Sequence, residues 1–458
     1  MRRLPEPPLP LVVFVVGVSV LGAEIAAARL LAPYFGASTI VWANTIGIVL
    51  VALSLGYWYG GRLADRHPTR EGLYRIVLLA GLLLGAVPFV ARPFLGAAVD
   101  ALDAISAGAF VGSLLAVTLL MALPIMVSGA VAPYALRLAV ADVAHAGTVS
   151  GRLYAISTVG SLLGTFSSAL LLIPLIGTRR TFIVFGLALV VLAAVGLARP
   201  RFVLAPAALA VLLALPVGTV KAQTDEGARV IHEEDTEYQY ARVVQDADGT
   251  RSLELNEGQA VHSLRRPGSY LTDDYWDEML VLGFAARPRP PERIAILGNA
   301  AGTTARAYGH FFPRTRIDAV EIDGALTDIG RRYFALRAPR LHIHTADARP
   351  FLRRNRARYD AIVLDAYRQP YIPFYLTTRE FFALARDRLR PGGVVLINVG
   401  HPEGSRRLEQ VLGATLASVF GTVLRDPSEP TTTVLLATGS RASAARLAAA
   451  APALPGPL

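Results

Sequence analysis

Three acidic side chains, each placed just after a short apolar run, carry most of the chemistry legible in this sequence. Glu321 follows 316–320, Asp347 follows 341–345 and Asp365 follows 359–364. A glycine-bracketed turn, Gly298-Asn299-Ala300-Ala301-Gly302, follows an earlier apolar run at 293–297. Such a turn lets a backbone approach a ligand, and the helix start behind it offers free amides. Glu321 stands 23 positions past Gly298, about where a carboxylate meets the vicinal hydroxyls of a ribose. Each Asp could instead cap the helix that follows it. The set of three is harder to explain that way, because acids at neighbouring strand ends face one crevice.

The elements that must position these groups alternate. Runs at 293–297, 316–320, 341–345, 359–364 and 393–398 read as buried strands, with helices between them. That order predicts a parallel, doubly wound, Rossmann-like α/β domain. Upstream, 237–244 and 252–255 alternate like strands around the turn signal Asp246-Ala247-Asp248-Gly249, predicting a small β-hairpin sheet. The expected division is a transmembrane domain over 1–220, a β subdomain over 221–290, a nucleoside-binding catalytic domain over 291–440 and a flexible tail over 441–458.

Composition explains the first of these. The chain has 458 residues, is 53% hydrophobic and only 17% charged, and its long apolar blocks all precede Lys221, the single lysine. Stretches at 10–31, 40–60, 73–90, 110–127, 153–176, 181–198 and 202–218 approach the ~20 apolar residues that span a bilayer. An amphipathic stretch at 129–143 is a further candidate, giving an α-helical bundle of about seven to eight spans in a cell membrane. Arg-rich loops at 62–75 and 137–152 belong inside. Gly61-Arg62-Leu63-Ala64-Asp65-Arg66 resembles the short loop after the second helix of major-facilitator transporters. Gly56 with Gly60, and Gly160 with Gly164, are spaced for close helix contact. Glu24 sits mid-span and reads either as a cation site or as half of an ion pair with Arg29 or Arg137. The net charge of +10 lies almost wholly on Arg. No basic stripe interleaved with aromatics appears, so nucleic acid is not an expected partner. The absence of Cys excludes disulfides and thiolate chemistry. His342, His344 and His401 show no ligand spacing, and no metal is expected.

The soluble half resembles the spermidine synthase family of aminopropyltransferases, in its membrane-fused bacterial branch. The likeness covers about 234–398. Glu237-Tyr238-Gln239-Tyr240 is similar to the family's opening strand, and 253–259, ending at Gln259, to its hairpin. Val320-Glu321-Ile322-Asp323 matches its V-E-I-D segment, Tyr359 to Asp365 its Y-D-x-I-x-x-D strand, and 374–382 a following helix start. The resemblance implies a co-substrate, decarboxylated S-adenosylmethionine, held by Gln239, Gly298, Gly302, Glu321 and Asp347, with Glu321 on the ribose and Asp347 on the adenine amine. It implies Asp365 and Tyr275 as catalytic residues, with Trp276 the alternative to Tyr275. Asp277, Tyr367 and Gln259 would meet a small-molecule amine acceptor. It also implies a homodimer, and a cytosolic donor favours a cytoplasmic catalytic domain.

Departures from the family pattern keep other readings open. Ala301 stands where the family has an Asp, so intact S-adenosylmethionine is less strongly excluded. Arg368 stands where a second acceptor-site Asp is expected, and Asp426-Pro427-Ser428-Glu429-Pro430 replaces a Pro-Ser-Gly-aromatic segment. A methyltransferase of the same fold is one alternative. A polyamine transporter or sensor, lipid-embedded and without turnover, is the other.

Overall fold

The structure is a computed structural model that describes residues 6–36, 38–104, 109–199, 202, 204–215, 221, 224, 227–256, 258, 260–367 and 372–458. Two compact units emerge: Met1–Gln223 with Glu233–Ala241 and Leu255–Gly258, and Thr224–His232 with Arg242–Glu254 and Gln259–Leu458.

The first unit is built on helices α1 (Leu9–Phe35), α2 (Thr39–Arg66), α3 (Arg70–Ala104), α4 (Ala109–Gly129), α5 (Val131–Ala139), α6 (Ala146–Ser167), α7 (Ile173–Leu197) and α8 (Leu204–Ala214). Among the described residues, five helical stretches are long and apolar enough to cross a membrane: Leu9–Phe35, Thr39–Arg66, Arg70–Ala91, Phe110–Ala139 and Val143–Leu197. The last holds 55 residues, about 80 Å of helix against a hydrocarbon core of about 30 Å. Gly177 (φ 80°, ψ 163°) breaks it, between the spans expected at 153–176 and 181–198. The span expected at 202–218 is represented by α8, 11 residues long, which is short for a crossing. The extra span considered at 129–143 does not form. Its sequence is a turn at Ala130 and the nine-residue α5.

Small residues set the helix spacing. A Cβ on Gly160 or Gly164 would lie 2.3 Å from the Phe14 carbonyl or 2.1 Å from that of Val18, and Gly56 meets the Met126 carbonyl at 2.2 Å. Neither pairing expected of Glu24 forms. Arg29 Nη2 donates to the Thr236 carbonyl, and Arg137 pairs with Asp65 at 3.3 Å. Glu24 is buried with no ion pair or hydrogen bond among the described residues.

In the β-rich part of the chain, β1 (Arg229–Asp235), β2 (Tyr240–Gln245), β3 (Arg251–Leu255) and β4 (Val261–Arg265) form one sheet in that order. The second sheet has seven strands: β5 (Arg293–Leu297), β6 (Arg316–Glu321), β7 (Leu341–Thr345), β8 (Tyr359–Leu364), β9 (Leu389–Gly400), β10 (Thr422–Glu429) and β11 (Thr432–Thr438). Their order is β10-β11-β9-β8-β5-β6-β7. The five strands expected from sequence are β5 to β9, paired in parallel. The sheet is mixed rather than wholly parallel, because β11 runs antiparallel to β9 and β10 antiparallel to β11.

The strands β5 and β8 are buried almost throughout, as expected for strands covered on both faces. Helices α9 (Tyr275–Val281), α10 (Thr303–Phe311), α11 (Gly324–Tyr333), α12 (Ala348–Arg354), α13 (Arg379–Asp387) and α14 (Arg407–Ala417) accompany the strands. The chain moves outward from β5 to β6 and β7, then returns to the other side of β5 as β8. The crevice outside the carboxyl ends of β5 and β8 is therefore the switch point where open α/β sheets bind ligands. The tail expected to be flexible instead forms α15 (Ala444–Ala450), capped by Ser443, with Leu447 and Leu454 packed against the domain core.

Candidate active site

Asp365 is the first residue past β8, and its amide donates to the Leu297 carbonyl of β5 at 2.9 Å. Three donors converge on its carboxylate. Tyr275 Oη lies 3.1 Å from Oδ2 and 3.3 Å from Oδ1, Trp276 Nε1 lies 3.3 Å from Oδ2, and Asn398 Nδ2 lies 2.9 Å from Oδ1. Tyr275 and Trp276 open α9, whose start is fixed by Asp274 accepting the Tyr275 amide at 2.6 Å. Tyr275 and its expected alternative Trp276 both reach this carboxylate. Asn398 projects from the neighbouring strand β9 and is 6% exposed. Sequence reasoning placed Asn398 only at a strand end. Its position at the same sheet edge as Asp365 was the available signal.

Burial pushes the Asp365 carboxyl up to about 6, against the lowering pull of the three hydrogen bonds, and nearby Asp274 raises it further. Asp365 as a whole residue is half-buried. Burial, with the Asp365 charge beside it, holds the Tyr275 hydroxyl well above its ordinary range, so it remains a proton-bearing donor.

The glycine turn is fixed by the protein itself. Gly298 has φ 89°, and a Cβ there would meet the Asp365 carbonyl oxygen and Ala366 Cα at 2.5 Å. Gly302, φ 91°, begins α10 and would meet Leu336 Cδ1 at 2.2 Å. Glu321, at the tip of β6, accepts the Ala300 amide on Oε2 at 2.8 Å and the Asp323 amide on Oε1 at 3.0 Å. Burial raises its pKa, opposed by those hydrogen bonds. Each oxygen takes one of these amides and retains a lone pair. The Glu321 carbonyl in turn accepts from the Ala346 amide at 3.0 Å. A continuous path of contacts therefore runs from Asp365 through the turn to Glu321 and on to the residue before Asp347.

Other expected site residues are used differently. Asp347 caps α12, Oδ1 accepting the Arg349 amide at 2.9 Å, while Oδ2 accepts from Tyr375 Oη at 3.0 Å. Asp277 turns back on its own helix start, accepting from Thr272 N at 2.9 Å, Thr272 Oγ1 at 3.0 Å and Asp273 N at 2.8 Å. Both its oxygens accept hydrogen bonds in that turn. The Tyr367 hydroxyl donates to the Asn398 carbonyl at 3.0 Å and accepts the Gly400 amide at 2.5 Å. It ties the loop after Asp365 to β9. Gln239 lies in the Glu233–Ala241 segment of the first unit, where its amide donates to Thr236 Oγ1 at 3.0 Å. Gln259 and Arg368 lie outside the described residues. His344 contacts Asp318 at 3.3 Å and His401 contacts Thr433 Oγ1 at 3.1 Å.

Comparison with known proteins converges on the same region. A family model described as the spermine/spermidine synthase domain matches residues 275–426, a segment that contains Tyr275, Glu321, Asp365 and Asn398. A probable polyamine aminopropyl transferase of Bifidobacterium longum is 34% identical over 191 residues, which is 42% of each chain. A polyamine aminopropyltransferase of Vibrio vulnificus is 32% identical over 199 residues, covering 42% of this chain and 65% of its own. A putrescine N-methyltransferase of Nicotiana tabacum is 34% identical over 128 residues, covering 26% of this chain and 36% of its own. This chain thus spans less than half the length of the Bifidobacterium relative and just under two thirds of the Vibrio one.

Proposed function

Because residues 275–426 carry a spermine/spermidine synthase domain, we propose that this chain transfers an aminopropyl group from decarboxylated S-adenosylmethionine to a small amine, releasing methylthioadenosine. The observation that carries the reading is the Asp365 carboxylate, with a pKa near 6, under three fixed donors at the sheet's switch point.

The chemistry is a displacement at carbon. The amine nitrogen forms a bond to the aminopropyl carbon next to the sulfonium, and the carbon–sulfur bond breaks with its electron pair going to sulfur. An acceptor amine has a pKa near that of lysine and must shed a proton before it attacks. Asp365, largely ionised above pH 6, takes or directs that proton. Its charge also stabilises the ammonium forming on the nitrogen. Tyr275, Trp276 and Asn398 fix the carboxylate so that it need not reorganise. Glu321 receives the ribose hydroxyls on its free lone pairs. Asp347, already a cap, keeps a lone pair for the adenine amine. The sulfonium is a competent leaving group, so the displacement proceeds without a metal.

The helical unit is proposed to hold the enzyme in a membrane, with the catalytic unit on the cytoplasmic side, where the donor is made. Chromatography of the nucleoside product tests the reading. Purified protein given a diamine and decarboxylated S-adenosylmethionine should release methylthioadenosine. S-adenosylhomocysteine, formed from intact donor instead, would show methyl transfer.

A further inference from the structure

The geometry points to Asn299 as the residue that reads the charged tail of the sulfonium donor. This rests on the donor site proposed above.

Asn299 is 5% exposed, and both Oδ1 and Nδ2 are buried with no hydrogen-bond partner among the described residues. Its backbone is fully engaged. The amide donates to the Val320 carbonyl at 3.2 Å, and its own carbonyl accepts from Gly302 at 2.8 Å. The turn therefore fixes the side chain's root and leaves the carboxamide unpaired. Buried polar groups almost always have a partner, so this amide awaits one.

Its place says which partner. Gly298, one residue before, abuts the Asp365 and Ala366 backbone. Ala300, one residue after, donates its amide to Glu321. A donor with its ribose at Glu321 and its reacting carbon at Asp365 carries its sulfonium past this turn, and its tail sets out from the carbon beside that sulfonium. Ala301 offers no polar atom there, and its amide is taken by Ser263 Oγ at 3.0 Å. Asn299 carries the polar side chain of the 298–302 turn.

A carboxamide both accepts and donates. Oδ1 accepts from the tail's ammonium, and Nδ2 can meet a carboxylate without like-charge repulsion. Asn299 therefore binds the tail of decarboxylated donor through a neutral dipole and also tolerates the carboxylate of intact S-adenosylmethionine. The pocket discriminates between the two donors less sharply than an acid at this place would.

Calorimetry on the full chain in detergent, with decarboxylated S-adenosylmethionine, intact S-adenosylmethionine and methylthioadenosine, tests this. Methylthioadenosine lacks the tail and doubles as a control for folding. Asn299→Ala should weaken both tailed donors by about tenfold, the loss of one hydrogen bond to a charged group, and move methylthioadenosine by less than about twofold. Asn299→Asp should weaken intact S-adenosylmethionine by more than about tenfold while holding or tightening the decarboxylated form. Equal losses for all three ligands would mean that Asn299 braces the turn or holds a water, and would overturn the inference. So would an Asp variant that leaves the ratio of the two donors unchanged. If the wild-type chain binds no methylthioadenosine at all, the donor site itself is wrong and the inference falls with it.

Discussion

Asn398 reaches across from β9 to place its Nδ2 2.9 Å from Asp365 Oδ1, while its own Oδ1 stays buried and unpartnered among the described residues. One end of the amide is spent on the carboxylate, and the other is free to take an N–H from an incoming amine. That hydrogen bond also lowers the Asp365 pKa. Asn398→Leu removes it, so the pKa should rise above about 6. The acidic limb of kcat/KM should move to higher pH by about one unit, within the worth of one charge-assisted hydrogen bond. An unmoved limb in the pH–rate profile would separate Asn398 from the titrating group.

Asp365→Asn has two expected effects of opposite sign. Turnover should fall by about 10²–10⁴. Stability should rise, and only above a certain pH. Burial raises the folded carboxyl from 3.8 to about 6, so between those values the folded state holds the proton more tightly than the unfolded chain. Stability therefore drains away as pH rises through that window, and the full cost, up to about 3 kcal/mol for about two units, is present above it. The Asn variant escapes that cost. Thermal unfolding in detergent should show a higher midpoint for the variant at pH 8 and nearly equal midpoints at pH 3.5. A variant that melts no higher than wild type at pH 8 would contradict the shift.

Glu321→Ala strips two backbone amides of their acceptor and removes the ribose partner. Methylthioadenosine affinity should drop by at least the ~1.5–3 kcal/mol of a charged hydrogen bond. An unaltered dissociation constant in calorimetry would remove Glu321 from the nucleoside site.

Gly164→Leu drives a side chain into the Val18 carbonyl, 2.1 Å from where its Cβ must sit. Overpacking of this kind costs ~1–3 kcal/mol or more. The bundle should melt earlier in detergent while methylthioadenosine binding by the folded catalytic unit is retained. An unchanged melting profile would show that the α1–α6 contact is loose.

How far the sequence spoke depended on the range of the interactions. The five parallel strands and the Gly298 turn were legible because they rest on local patterns: buried apolar runs, a turn signal and acids at fixed offsets. The antiparallel pair β10 and β11 escaped because the Asp426–Pro430 stretch reads as a loop. The break at Gly177 was legible, because Gly177-Thr178-Arg179-Arg180 interrupts the apolar run between the two expected spans, whereas the tail helix was hidden in an alanine-rich end. Side-chain partners were the least legible. Asp365 finds Tyr275 ninety positions away, a match that no local rule supplies, and only the family resemblance linked them. The local bonds of Asp277 were not read either, and those of Asp347 only as one alternative: each accepts backbone amides at a helix start that lie within a few residues. Of the two readings of Glu24, the ion pair does not form, since Arg29 and Arg137 each have other partners.

The most direct measurement is the pH dependence of methylthioadenosine release, comparing wild type with Asp365→Asn under saturating decarboxylated S-adenosylmethionine and a diamine. Wild type should lose activity below a midpoint near 6, the value burial gives Asp365, and the variant should be nearly inactive without that limb. A variant that releases methylthioadenosine at the wild-type rate, with the same acidic limb, would show that Asp365 does not handle the acceptor's proton.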